Sequence, residues 1–161
     1  MKFSSREDIE ASAEQVFAAL TDFPGLELSA LRRNIELRRI DGLQTPGRGM
    51  SWDVRFRFRG KTRMLVASVA EFGPPEQLSF EASSANYELT LALSLLALSK
   101  KRTRVTVGME VRPRSLTARL MLQSARLGKA GLLRRYTERV QILAKEVEGR
   151  ANSSASPSGL A

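Results

Sequence analysis

The chain of 161 residues contains no cysteine and no histidine. The first absence removes disulfides, thiolate metal sites and thiol nucleophiles. The second removes the commonest metal ligand and the commonest general base at neutral pH. Long apolar runs are missing too: the longest, residues 89–98, is interrupted by Thr90 and Ser94 and is too short to cross a bilayer. The opening residues 1–8 carry no signal-peptide apolar region, so a cytoplasmic protein is expected. Neither a Gly-rich phosphate loop nor a metal-ligand cluster is present, and no metal or cofactor is expected. Acid is scarce relative to base, with 17 Asp and Glu against 26 Lys and Arg for a formal net charge of +9. That excess suits nucleic acid, anionic lipid or acidic partners. The cations are nevertheless spread along the chain rather than blocked, as on an ordinary solvated surface.

What is present is a globular composition, 42% hydrophobic, at a length that suits one domain with a proper core. Residues 2–10 read as a strand. Ser12 with Gln15 forms a capping box opening a short helix with Val16, Phe17 and Leu20 on its apolar face. Pro24 begins a second short helix. From Ile35 the periodicity becomes two. A short strand at 35–40 precedes the clearest one, where Met50, Trp52, Val54, Phe56 and Phe58 alternate with Ser51, Asp53, Arg55, Arg57 and Arg59. Gly60-Lys61 suggests a hairpin tip. The returning strand has Leu65, Ala67 and Val69 as its inward set, although Met64 and Val66 blur the phase. Strands follow at 78–82, at 87–95 with Leu89, Leu91 and Leu93 on one face, and at 103–111 with Val105, Val107 and Met109 on one face.

The period then becomes helical over residues 113–147. Leu116, Leu120, Gln123, Leu127, Ala130, Leu133, Tyr136, Val140, Leu143 and Val147 follow at steps of three or four, with only Gln123 polar. Ser115 is a candidate N-cap, and Pro113 suits the first turn. A helix of that length, roughly 50 Å, needs the strands to cover its apolar side. Three successive three-residue steps from Leu127 to Tyr136, together with Gly128 and Gly131, predict a bend or break there. Met121 and Leu122 fall off the stripe. Residues 148–161 are small and polar and are expected to be a disordered tail, leaving 1–147 as the domain.

The order is strand, two short helices, about six strands and one long helix, which is an α+β arrangement. With residues 9–24 (Ile-Glu-Ala-Ser-Ala-Glu-Gln-Val-Phe-Ala-Ala-Leu-Thr-Asp-Phe-Pro), the Trp52 strand, the Pro74-Pro75 segment within 69–80 and the C-terminal helix, it resembles the SRPBCC superfamily. That superfamily includes START, pollen-allergen and polyketide cyclase/dehydrase proteins. The resemblance covers about residues 2–147. It implies a helix-grip fold: a curved antiparallel sheet of about seven strands wrapped around the C-terminal helix, with a ligand cavity between them.

On the residues alone, the inward sets could enclose an apolar pocket or simply fill a core. The expected lining is Trp52, Val54, Phe56, Phe80, Leu89, Leu91, Val107 and Met109 from the sheet, with Leu120, Gln123 and Leu127 from the helix. The expected function is non-covalent binding, as carrier or sensor, of a small hydrophobic molecule such as a lipid, polyketide or quinone. Two alternatives stay open. One is a cyclase/dehydrase-type enzyme using polar groups such as Gln123, Ser124, Tyr87 or Tyr136 in the same cavity. The other is a membrane- or protein-interaction module with a packed interior, in which the basic helix touches an anionic membrane. Phe56 and Phe58 alternate with Arg55, Arg57 and Arg59, so rings and cations lie on opposite faces, which argues against a base-stacking nucleic-acid surface.

Overall fold

The computed structural model describes residues 1–155, with side chains through residue 153. The elements in chain order are β1 (Lys2–Ile9), α1 (Ala13–Leu20), α2 (Phe23–Arg32), β2 (Glu36–Arg39), β3 (Ser51–Phe58), β4 (Lys61–Gly73), β5 (Gln77–Ser83), β6 (Tyr87–Ser99) and β7 (Arg102–Pro113). They are followed by α3 (Leu116–Ala125), a 3-10 turn (Arg126–Gly128) and α4 (Lys129–Ala155). The strands form one antiparallel sheet in the order β1-β7-β6-β5-β4-β3-β2. First and last strands therefore pair, from Lys2 opposite Glu110 to Ile9 opposite Thr103. This is the helix-grip α+β fold.

Local chemistry explains the boundaries. Ser12 accepts from the Gln15 N–H at 3.2 Å while the Gln15 side chain accepts from the Ser12 N–H at 3.0 Å, so the capping box is complete in both directions. Asp22 caps α2 by accepting from the Gly25 N–H, with Pro24 in the first turn. The β3–β4 hairpin turns at Arg59-Gly60, one residue earlier than expected. Both residues have positive φ (52° and 74°), the mirror-image turn that matches the twist of the strands and that Gly60 adopts without steric cost. A bulge between Val69 and Glu71 shifts the phase of β4, so that Val69 and Phe72 both stand on the inner face, opposite Phe80 and Leu78.

Three expectations about the C-terminal helix change. Helical structure begins at Leu116, not Pro113: Pro113 ends β7, and Ser115 is the N-cap, accepting from the Ala118 N–H at 3.1 Å. α-Helical bonding tightens to a 3-10 turn at Arg126–Gly128, where a bend or break was expected; Ala125, Arg126 and Lys129 keep right-handed helical dihedrals, so the two arms follow on as one long helix. The second arm runs on to Ala155, which corrects a tail beginning at 148. Val147 and Ala151 are one helical turn apart and both 1% exposed, and Glu148 accepts the backbone N–H of Glu10 at 2.8 Å. Those anchors continue the buried stripe through a stretch whose composition reads as loose. Residues 156–161 of the expected tail lie outside the described residues.

The third change is the inward face of the first arm. Its buried or half-buried residues are Ala118, Leu122 and Ala125, leading on to Leu132, Tyr136, Val140, Leu143 and Val147. Leu116, Leu120, Gln123, Leu127, Ala130 and Leu133, expected to face the sheet, are exposed. α4 packs on β1 and α1, and α3 on β7. At the contact with β7, Ala118 is 2% exposed and Leu122 and Ala125 are half-buried, while Leu116, Leu120 and Leu127 turn outward. Among the described residues no helix is long and apolar enough to cross a membrane.

Candidate functional site

The inner sheet face is built of cross-strand rows that alternation alone makes apolar. One row joins Val69, Phe80, Leu91, Met109 and Phe3; the next toward the β3–β4 hairpin joins Trp52, Ala67, Ala82, Leu89 and Val111. Further out, Val54 stands opposite Leu65. In the other direction lie Leu78, Leu93 and Val107, then Leu95 opposite Val105.

These rows are covered unequally. Leu78, Leu93, Leu95, Val105 and Val107 are buried beneath α1 and α4. The space left among Ile9, Leu20, Leu93, Val107, Val140 and Val147 is about 10 Å³. That is room for at most one water. Towards the other end, Val54, Phe56, Leu65, Phe80, Ala82, Leu89, Leu91 and Met109 are only half-buried. An apolar part of the inner face is thus left partly exposed at this end, where α3 packs on β7.

Its floor is fixed by Trp52, which is buried. Phe23 of α2 lies 5.3 Å from the Trp52 ring centroid and 6.4 Å from that of Phe80, and the Arg39 guanidinium sits 5.9 Å from the Trp52 ring. The indole Nε1–H donates to Glu27 Oε1 at 3.0 Å. Glu27 escaped the sequence reading; its one available signal is the four-residue step from Phe23, which puts both on one face of α2. Arg39 is itself held by Asp41. The Arg39 guanidinium, followed by the N–H of Ser51, keeps the Asp41 carboxyl well below the usual carboxylate range.

The eight sheet residues of the expected lining, Trp52, Val54, Phe56, Phe80, Leu89, Leu91, Val107 and Met109, share the inner face. Val107 belongs to its packed end: the Tyr136 hydroxyl donates to the Val107 carbonyl, and burial pushes the Tyr136 phenol above its ordinary value. Leu120, Gln123 and Leu127 do not join this group. Leu127 is 93% exposed, and all three lie on the side of the first arm turned away from Ala118. Among the described residues no cluster of acidic side chains could hold a metal ion.

A second concavity, between α2 and α4, is lined by Asp22, Ser29, Arg32, Glu146, Arg150 and Ser153 and lies beside the Arg33–Glu146 ion pair. It is polar and charged, the opposite of the inner sheet face.

Comparison with solved structures reproduces the fold. The TTHA0849 protein of Thermus thermophilus matches with a TM-score of 0.69 at 16% identity, covering 97% of this chain and 100% of its own. The Zhui aromatase/cyclase of Streptomyces sp. R1128 matches with a TM-score of 0.65 at 12% identity, over 100% and 99%. A START superfamily protein of Mycobacterium smegmatis matches with a TM-score of 0.64 at 16% identity, over 96% and 99%. Identities this low speak for the fold alone. Among curated protein sequences none matches. The model of the family described as polyketide cyclase / dehydrase and lipid transport matches residues 1–148, which is nearly all of the sheet and helices described above. The chain therefore belongs to that family, within the SRPBCC superfamily its sequence resembles.

Proposed function

We propose that this protein is a cytoplasmic carrier or sensor that binds a small hydrophobic molecule, such as a lipid, polyketide or quinone, non-covalently against the inner sheet face. The observation that carries this reading is the uneven cover of one continuous apolar surface. Val54, Phe56, Leu65, Phe80, Leu89, Leu91 and Met109 remain half-buried while the rows beyond them are fully packed. Leaving that much apolar area in contact with water is unfavourable by about 25 cal/mol per Å², and an apolar ligand would remove the contact. Membership of a family described by polyketide cyclisation and lipid transport supports the same ligand class. Three of the four polar groups considered for chemistry support binding over catalysis; the fourth, Tyr87, is half-buried at the start of β6, in phase with Leu89 and Leu91. Gln123 and Ser124 are exposed, and the Tyr136 hydroxyl is bonded to Val107.

Native mass spectrometry of protein incubated with a total lipid extract tests the reading. A retained apolar species is expected, and Val54→Glu, which sets a charge on the open surface without emptying the core, is expected to abolish retention while the fold survives. Failure of the wild type to retain any apolar species, together with no titratable uptake of an environment-sensitive apolar dye, would overturn it.

A further inference from the structure

Val66, Ser83, Glu88 and Arg112 form one row across β4, β5, β6 and β7. Beyond this row β5 and β6 close in a turn, and two parts of the chain continue. On one side the β3–β4 ribbon projects without a neighbour on β5, since β4 pairs with β5 only from Val66 onward. The ribbon reaches about five residues, or roughly 17 Å, past the row. On the other side α3 begins, tied to the β5–β6 turn by Arg114 donating to the Ser84 carbonyl at 2.8 Å and Ser115 to Asn86 Oδ1 at 3.0 Å. Ribbon and α3 thus flank the same end of the sheet, the end where the inner face is open.

Both carry the same unusual surface. Residues 54–70 contain Arg55, Arg57, Arg59, Lys61 and Arg63 and no acid. Residues 111–137 contain Arg112, Arg114, Arg119 and Arg126 up to the 3-10 turn, then Lys129, Arg134 and Arg135 further back along the sheet on α4, and no acid. Twelve of the 26 cations therefore sit in these two stretches, leaving 14 cations against all 17 acids in the rest of the chain. All twelve are exposed. Among the described residues only Arg112 (with Glu110, 3.0 Å) and Arg114 (with Glu88, 3.9 Å) meet a carboxylate. Large apolar side chains stand among them. Leu116 (72% exposed), Leu120 and Leu127 form one outward ridge of the first helical arm, while Phe58 (54% exposed) marks the ribbon tip and Met64 its returning strand.

We infer that this end of the molecule docks on an anionic lipid bilayer. Cations attract the headgroups, and the leucine ridge with Phe58 enters the apolar boundary beneath them. A second copy of the chain would bring like charges together. A nucleic acid would satisfy the arginines but leave the leucines in water, and Phe58 is the one exposed ring available for stacking. The geometry also sets the orientation. The acid-richer remainder of the chain points away from the membrane, and the open apolar face meets the bilayer surface.

Vesicle flotation without any added ligand tests the docking, so its failure would leave the hydrophobic-ligand reading standing. The wild type is expected to float with phosphatidylcholine vesicles containing about one-third phosphatidylserine, to stay behind with pure phosphatidylcholine, and to be released as salt rises. Arg57→Glu/Arg59→Glu and Leu120→Ser/Leu127→Ser are each expected to weaken flotation about ten-fold or more. Lys100→Glu/Lys101→Glu makes the same change in net charge at the β6–β7 turn, the opposite end of the sheet, and is expected to float like the wild type. The inference is overturned if the wild type does not float, or if the Lys100/Lys101 pair loses as much as the Arg57/Arg59 pair. It is equally overturned if the Leu120/Leu127 pair floats unchanged while the wild type binds single-stranded nucleic acid, which would make the surface a phosphate-binding one.

Discussion

The indole of Trp52 donates to the Glu27 carboxylate at 3.0 Å, joining the floor of the open apolar face to α2. Glu27→Ala leaves a buried N–H without a partner and is expected to destabilise the protein by about 1–2 kcal/mol. Glu27→Gln keeps an acceptor and should cost less. Urea unfolding followed by the fluorescence of Trp52, the single tryptophan, measures both.

Tyr136 fastens α4 to the sheet through its hydroxyl and packs on Phe3 at 5.5 Å. Tyr136→Phe keeps the ring and loses the hydrogen bond, for an expected loss of about 1–2 kcal/mol. Burial raises the phenol's folded-state pKa above its unfolded value. Its contribution is therefore fully present below about pH 10 and lost as pH rises through the folded value. The alkaline limb of a stability–pH profile should be shallower in Tyr136→Phe than in the wild type.

Three carboxylates have lowered values: Asp41 beside Arg39, Asp8 beside Arg104 and Glu110 beside Arg112. Lowered folded-state values give stability that is present above the ordinary carboxylate range, about pH 4, and lost as pH falls through the folded values. Asp41→Asn is expected to be less stable than the wild type at neutral pH, and the two should converge on acidification. Parallel curves down to the lowest pH would contradict the assignment to Asp41. With no histidine in the chain, no imidazole titration interrupts the profile between these limbs.

The helix beyond residue 147 is structural. Ala151→Leu must push against the packed junction of α4 and should cost about 1–3 kcal/mol. Val147→Ala should cost about 2 kcal/mol by emptying the same region. Thermal denaturation checks both, and wild-type behaviour of Ala151→Leu would return this segment to the tail.

Strand alternation at Trp52–Phe58 and Leu89–Leu95, the Ser12/Gln15 box and the Asp22-Pro24 entry are local patterns. They specify the order of elements and the inner sheet face. Each depends on bonds within a few residues or on a period of two, which a sequence displays directly. The face of α3 was not legible in this way. Leu116, Leu120 and Leu127 form a better stripe than Ala118, Leu122 and Ala125, and periodicity alone prefers the larger side chains.

Only packing could decide between those two stripes. Where α3 meets β7, Ala118, Leu122 and Ala125 take the inner side, so the leucine ridge is turned to the outside and becomes a surface. The same holds for the helix end, where Val147 and Ala151 find a site against the core that no composition rule foresees. The chain by itself determined the sheet, its apolar face and the place of the helical irregularity near Gly128. The tertiary structure decided which part of that face is covered, because cover depends on how closely distant backbones approach, and local sequence carries no record of that distance.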